Sequence, residues 1–215
     1  MRLQGIAGAM TGGASPAVPH RAGETPLFNG QPAHLRFRFD GDSLAPEVDY
    51  RERQLLIYPL DEYRNQFSGA EQDSFDAQIE RFRALIQTKP LRVNDPLPIL
   101  PAIGREPAFQ ERLRFFDFQD GRGAGVRFVS YREHPKNPTM KRGLFYTFQG
   151  IMGNHYVSLF WPITIEDLPV GWSASRTVDF IRGLTDEEMN PPLRRLDQAL
   201  ESLLIQDPDP SALPS

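Results

Sequence analysis

The segments RLRFFDFQDG (112–121), GVRFVSYRE (125–133), GLFYTFQG (143–150) and HYVSLFWPI (155–163) decide the fold of this chain. They are rich in aromatic and β-branched residues, which favour strands. Glycine-bearing turns separate the first pair at Asp120-Gly121 and the second pair between Gly150 and Asn154. Two apolar runs joined by such a turn are typical of a β-hairpin. We therefore predict two consecutive hairpins, and this stretch contains no catalytic motif.

The composition is that of an ordinary globular protein. The chain has 215 residues, 40% hydrophobic and 24% charged, and we expect one large domain. No apolar run approaches the roughly 18 residues that a membrane helix needs. The absence of cysteine excludes disulfides, thiolate metal sites and cysteine nucleophiles. The formal net charge of −4 argues against a nucleic-acid partner, because nucleic-acid binders usually carry a clear basic excess.

The flanking sequence predicts two further strands and three helices. HLRFRFD (34–40) alternates apolar and basic residues with the period of a half-buried strand, and LLIYPL (55–60) indicates a more buried one. Residues 69–88 repeat apolar residues at helical spacing after a capping box formed by Ser68 and Glu71. Similar patterns predict helices over residues 173–184 and 191–206.

The remaining segments indicate how the chain is organised. Residues 1–33 are rich in Gly, Ala and Pro without a hydrophobic period, which predicts a flexible arm. Residues 34–206 form the single predicted domain, and the Pro-rich residues 207–215 are expected to be a disordered tail. PLRVNDPLPILPAIGREP (90–107) contains too many prolines for a helix or a central strand. We expect it to cross the surface as an extended connection.

The last two core strands are apolar on both of their alternating sides. In LFYTFQ, Leu144, Tyr146 and Phe148 alternate with Phe145 and Thr147, and the final segment behaves in the same way. Such strands are covered on both faces, which requires helices or a second sheet on each side. The predicted fold class is therefore α+β, with a mainly antiparallel sheet covered by about three helices. A β-sandwich with a helical appendage is the alternative.

Most of the positive charge is carried by arginine, whose planar guanidinium binds carboxylates and phosphates in pairs of hydrogen bonds. Five arginines alternate with apolar residues in predicted strands: Arg36, Arg38, Arg112, Arg114 and Arg127. If these strands are neighbours, one sheet face carries an Arg ladder that could bind a carboxylated or phosphorylated glycan, a lipid headgroup or an acidic protein surface. The alternative is that the arginine stems cover the sheet and pair with Asp and Glu.

Aromatic residues are more numerous in the core region than one face of a small sheet needs. Some of them could line a contact surface together with nearby guanidinium groups. We expect Tyr131, Gln149 and Trp172 to be exposed members of this surface.

The sequence contains few patterns typical of catalytic or metal-binding sites, and we predict no catalytic residue, no metal and no cofactor. The four histidines are scattered, and no G-x-S-x-G motif is present. Asp40, Asp42, Glu47 and Asp49 cluster without the order of an EF-hand, which favours a solvated turn over a calcium site. The alternative function is a small hydrolase that uses His155 and a carboxylate. Candidate carboxylates are Asp117, Glu133, Glu166 and Asp167.

The stretch Gly123–Ile163 resembles a segment of uncharacterised bacterial proteins, many of them secreted or envelope-anchored. The resemblance rests on the motifs G-V-R-F, L-F-Y-T-F-Q-G and Y-V-S followed by an apolar pair and Pro. The matching positions are Gly125 to Phe128, Leu144 to Gly150, Tyr156 to Ser158 and Pro162. IYPLDEYR (57–64) and the helix after it match more weakly. The order of strands and helices is also similar to the domain of photosystem accessory proteins of the oxygen-evolving-complex type. The first resemblance implies an extracytoplasmic setting and no established activity.

Together these patterns predict a non-catalytic extracytoplasmic domain with a binding, accessory or structural role. It would engage a partner protein or an anionic or aromatic ligand, as a subunit of an envelope or membrane-associated assembly. Peripheral membrane association and homo-oligomerisation stay open. The opening MRLQGIAGAM is too short in its apolar part for an intact signal peptide, so we expect a periplasmic or cell-surface location if a leader has been removed, and a cytoplasmic one otherwise.

Overall fold

The structure is a computed structural model. It describes residues 10–24, 27–39, 52–91, 93, 95–102, 107, 109–118, 121, 123–131, 143–169 and 172–202. The strands are β1 (Met10–Ser15), β2 (His34–Phe39), β3 (Gln54–Pro59), β4 (Phe109–Asp117), β5 (Gly123–Tyr131), β6 (Leu144–Met152) and β7 (His155–Pro162). The helices are α1 (Leu60–Arg64), α2 (Ala70–Thr88), α3 (Ala174–Gly183) and α4 (Leu193–Glu201), with a 3₁₀ turn at Asp186–Glu188.

All seven strands form one antiparallel sheet in the order β1-β2-β3-β7-β6-β5-β4. The two predicted hairpins, β4–β5 and β6–β7, are confirmed, and they also pair with each other through β5 and β6. Gly153 lies in the turn of the second hairpin with a φ of 57°, a backbone conformation that residues with a Cβ rarely adopt. Strand β7 returns between β6 and β3 and thereby joins the hairpins to the N-terminal strands.

Both faces of the sheet are covered, as the apolar pattern of β6 and β7 predicts. One face, which we name the α2 face, packs Leu56, Val126, Phe128 and Phe160 with the buried side of α2. The other, the α4 face, packs Leu55, Val129, Tyr146 and Leu159 with residues of α3 and α4. Leu193, Leu196 and Leu200 form the buried stripe of α4. The α+β fold class is therefore confirmed.

Two glycine residues let one large side chain, that of Phe148, lie close to the sheet. Gly125 of β5 pairs with Gly150 of β6, and the buried ring of Phe148 lies against both. A Cβ added to Gly125 would lie 2.4 Å from Cζ of Phe148 and 2.7 Å from the carbonyl oxygen of Gln149. The ring therefore occupies the space that two ordinary side chains would fill.

The described part of residues 1–33, the segment in which we predict a flexible arm, contains regular structure. Met10–Ser15 form edge strand β1, and Val18 and Gln31 exchange two backbone hydrogen bonds. Phe28 is buried on the α2 face. Strand β1 pairs through backbone groups, which every sequence possesses. Its small side chains show no alternating pattern, so the sequence did not reveal this strand. Residues 1–9 and 207–215 lie outside the described residues.

Helix α2 lies where its apolar spacing predicts it, but it begins differently. Its N-cap is Gly69, and no side-chain capping hydrogen bond is present, so the predicted capping box of Ser68 and Glu71 is wrong. Glu71 instead lies 2.9 Å from Nε2 of His20, whose Nδ1 is 2.9 Å from Oδ1 of Asn29. The carboxylate therefore connects α2 to the segment between β1 and β2.

Candidate binding sites

The single Arg ladder predicted from the sequence is not assembled. Strand β2 is separated from β4 and β5 by three strands, and its arginines lie on the opposite face of the sheet. Arg36 pairs with Leu56 of the α2 face, whereas Arg127 binds Asp197 of α4. The prediction assumed that strands of similar pattern are neighbours, but β3, β7 and β6 lie between them. The five arginines therefore form two separate groups.

The first group is an ion-pair cluster at β2 and β3. Nη2 of Arg36 lies 2.8 Å from one carboxylate oxygen of Glu52, and Arg38 binds the other oxygen. Nε of Arg36 also donates to Gln54 at 3.0 Å. Burial lowers the pKa of Arg36, and the charge of Glu52 opposes that shift. Both guanidinium groups are buried and oriented by side chains of the same chain, which is the arrangement of a structural cluster.

The second group, which we name the Arg127 network, connects β4 and β5 to α4 and to the 3₁₀ turn. Asp197 is fully buried and accepts from Nη1 of Arg114 at 2.6 Å and from Nε of Arg127 at 3.1 Å. The hydroxyl of Tyr146 donates to the same carboxylate at 2.8 Å. Asp186 binds both Arg112 and Arg127. Burial, followed by the charge of Asp197, raises the pKa of Tyr146 well above its usual range.

Sequence analysis missed Asp197, although a signal for it exists. The residue follows Leu193 by four positions and therefore lies on the apolar stripe of α4. An acidic residue at a core position needs a buried cationic partner, because an unpaired carboxylate there would be too costly. The position of Asp197 therefore indicates an ion pair with one of the strand arginines.

Two of the three residues predicted to be exposed are buried instead. Tyr131 is 3% exposed and stacks on Phe109 with ring centroids 5.8 Å apart. Gln149 has no exposed surface and lies on the α2 face between Val126 and Ser158. Tyr131 is covered because it lies opposite Phe109 of β4, a pairing that sequence periodicity does not reveal.

Gln149 has a clear structural partner, which is the connection between α2 and β4. This connection does not run over the surface as predicted, since Leu97, Ile99 and Leu100 are buried on the α2 face. We name residues 95–102 the strap, and none of them belongs to a helix or strand. The apolar residues between its prolines are the physical reason for the burial, because their transfer from water stabilises the contact with the sheet.

Polar side chains of the sheet hold the backbone of the strap at two points. Oε1 of Gln110 accepts from the N–H of Leu97 at 2.6 Å, and Nε2 of the same residue donates to the Leu97 carbonyl at 3.0 Å. The N–H of Leu100 donates to Oε1 of Gln149 at 3.0 Å, and Ser158 Oγ donates to the Leu100 carbonyl. Both backbone groups of each leucine are therefore satisfied by side chains.

One polar atom at this contact is left without a partner. Oε1 of Gln149 also accepts from the hydroxyl of Tyr156 at 2.9 Å and lies 3.1 Å from Oγ of Ser158, so these groups fix the orientation of the amide. Its Nε2 is buried and has no hydrogen-bond partner among the described residues. A buried donor without an acceptor costs about 1–3 kcal/mol. The strap therefore leaves one buried hydrogen-bond donor of the sheet without an acceptor.

Trp172 is the one member of the predicted aromatic surface that stays partly exposed. The guanidinium of Arg176 lies 4.2 Å from the centre of its ring, and the ring of Phe180 meets it edge-on at 5.5 Å. Ser173 caps the start of α3 beside it, with its hydroxyl oxygen 3.4 Å from the N–H of Arg176. We name Trp172, Arg176 and Phe180 the Trp172 patch. It presents a preformed aromatic and cationic pair, Trp172 and Arg176, beside Phe180, which packs against the α4-face core.

The residues of the alternative hydrolase hypothesis are not brought together within the described part of the chain. His155 begins β7 opposite Met152 and Pro59, and no hydrogen bond or ion pair joins it to another described side chain. Asp117 forms an ion pair with Lys89, and Glu166 and Asp167 are exposed. Glu133 and the acidic cluster Asp40, Asp42, Glu47 and Asp49 lie outside the described residues. Among the described residues, no three His, Asp or Glu side chains come close enough to hold a metal ion.

Comparison of the chain with protein-family models, with curated proteins and with solved structures finds no match. Within the described ranges, no helix is both long and apolar enough to cross a membrane.

Proposed function

We propose that this chain is a non-catalytic binding or accessory domain that engages a partner protein through the Trp172 patch. The observation that carries the proposal is the partly exposed contact of Trp172 with Arg176 and Phe180. Tryptophan and arginine are the residues most enriched at the energetic centres of protein interfaces. A ring held between a guanidinium and a phenyl group loses little conformational freedom on binding, which favours affinity.

The ion pairs of the five strand arginines favour a partner protein over a small anionic ligand. Each arginine is engaged by an internal carboxylate, namely Glu52, Asp186, Asp197 or Glu201. An anionic ligand would have to displace these carboxylates, and a buried carboxylate left without its cation is costly. The arginines therefore serve the fold, and recognition is assigned to the surface of α3.

The proposed setting is an extracytoplasmic assembly of the cell envelope. It is supported by the resemblance of Gly123–Ile163 to segments of secreted and envelope-anchored bacterial proteins. Fractionation of the native cell tests this part, and recovery of the protein with the cytoplasmic fraction alone would contradict it.

Site-specific photo-cross-linking in the native cell tests the interface. A photoreactive residue replaces Ser175, which is exposed on α3 beside the patch, and a control replaces Arg81, which is exposed on α2 across the sheet. We expect a discrete cross-linked product from position 175 that is lost with Trp172→Ala and absent from position 81. Identical products at both positions, or a product unaffected by Trp172→Ala, would refute the proposed interface.

A further inference from the structure

The strap is held by the sheet as an extended peptide is held by a peptide-binding protein. Gln110 contacts both backbone groups of Leu97, and Gln149 with Ser158 contacts both backbone groups of Leu100. These hydrogen bonds involve only main-chain atoms of the strap and do not depend on its side chains. Leu97 and Leu100 are 5% and 0% exposed, so two apolar anchors accompany the backbone contacts. Main-chain hydrogen bonds combined with pockets for anchor residues are a recurring mode of peptide recognition.

The sheet offers more hydrogen bonding than the strap uses. Nε2 of Gln149 is buried and has no acceptor among the described residues, although its Oε1 binds the strap. A carboxamide in contact with an extended chain can bind one backbone N–H and one carbonyl, as Gln110 does with Leu97. The strap therefore engages Gln149 by only one of its two groups. An extended segment whose carbonyl lies near Nε2 would use both.

The connection that carries the strap is unusually long for a compact domain. It extends from Lys89, after α2, to residue 108, before β4, which exceeds the roughly 12–15 residues usual for a structureless loop. Loops of that length in compact domains are usually either functional or linkers. Leu91 within this connection is fully exposed and is not anchored to the sheet by its side chain.

We propose that Gln110, Gln149 and Ser158, with the apolar surface beneath them, form a groove for an extended polypeptide segment of a partner, and that the strap is its intramolecular occupant. The partner segment resembles the strap in chemistry: an extended backbone with leucine-type anchors three residues apart and prolines beside them. This strap groove lies on the α2 face and is separate from the Trp172 patch. Its occupation by a partner would release the strap.

Binding of a peptide in trans to the full chain tests the groove. The probe is fluorescein-labelled DPLPILPA, the sequence of residues 95–102, and its control is the same composition in scrambled order. The receptor is the full chain with Leu97→Ser and Leu100→Ser, which remove the anchors of the strap. We expect this variant to bind the probe at least about tenfold more tightly than the scrambled peptide. Adding Gln149→Leu should abolish the preference, whereas Ser130→Ala, which removes a buried hydroxyl bonded to Thr147 on the same face, should leave it intact.

The result that overturns the proposal is a folded double-serine variant that binds both peptides alike or neither. Circular dichroism establishes whether the variant is folded. If the variant is not folded, the test uses a chain whose strap is unchanged. Because the chain has no cysteine, Leu91→Cys gives a single labelling site beside the strap. A fall in the anisotropy of a fluorophore at position 91 on addition of DPLPILPA, but not of the scrambled peptide, then supports the groove. No fall at millimolar peptide overturns it.

Discussion

Removal of the buried carboxylate of Asp197 provides the sharpest test of the Arg127 network. Asp197→Ala leaves the buried guanidinium of Arg127 with the carboxylate of Asp186 and the carbonyl of Arg112, and it leaves the hydroxyl of Tyr146 without its acceptor. Breaking a buried ion pair by deleting one partner costs about 3–5 kcal/mol. The hydroxyl of Tyr146, left without an acceptor, contributes to this loss of stability. We therefore expect the free energy of unfolding to fall by about 4 kcal/mol. With a urea slope of about 2–3 kcal/mol per molar, the unfolding midpoint falls by about 1–2 M.

Glu201→Ala is the matched control, because Glu201 binds the same Arg114 on the protein surface. Its side chain is 42% exposed, whereas that of Asp197 is 1% exposed. Solvent screening limits the loss for the control to about 1 kcal/mol or less. Urea unfolding followed by circular dichroism measures both variants.

A double substitution separates the charge from the packing. Replacement of the pair by Arg127→Met with Asp197→Leu should recover the part of the stability that Asp197→Ala loses through the buried charge of Arg127, because apolar residues of similar volume do not leave a buried charge. The part due to the hydroxyl of Tyr146 should stay lost. A loss below about 1 kcal/mol for Asp197→Ala, or equal losses for Asp197→Ala and Glu201→Ala, would refute the assignment.

Three further outcomes can be measured on the same protein. Gly125→Ala should lower the free energy of unfolding by about 1–3 kcal/mol in urea, because the new Cβ meets the buried ring of Phe148, whereas Gly13→Ala should be close to neutral since nothing lies within 4 Å. Equal effects of the two glycine substitutions would contradict this packing. Burial raises the pKa of four tyrosines, so stability is fully present below pH about 10, the unfolded tyrosine value, and is lost as the pH rises above it. The four residues are Tyr58, Tyr63, Tyr146 and Tyr156. Tyrosinate absorbance should appear together with cooperative unfolding as the pH rises. Titration of these hydroxyls in the folded protein would contradict their burial. Burial lowers the pKa of His34, so its contribution is present above pH about 6.5 and is lost as the pH falls, and NMR titration of the ring should show a midpoint below that of the unfolded chain. A midpoint at or above the unfolded value would contradict the burial of this ring.

Local patterns predicted the elements of the fold but not the contacts that satisfy its polar groups. The helical spacing of Phe75, Ile79 and Phe82 identified α2, and the alternation in β2 identified a strand. The prolines of residues 90–107 led us to predict an exposed connection without a helix. The strap within it has no helix, but it is buried. The backbone of the buried strap is satisfied by hydrogen bonds with the side chains of Gln110, Gln149 and Ser158, and these residues come from three different strands.

The sequence by itself determined the two central hairpins, helix α2 and the need to cover both faces of β6 and β7. Each of these follows from the spacing of apolar residues and turn residues along a short stretch of chain. Only the tertiary structure decided the order of the strands, the pairing of β1 and the partner of each buried arginine. Strand β7 pairs with β3 through backbone groups that every sequence possesses, so nothing local specifies this pairing. The burial of charge at Arg127 and Asp197 depends on which faces meet after the sheet has formed, and that is a property of the whole chain.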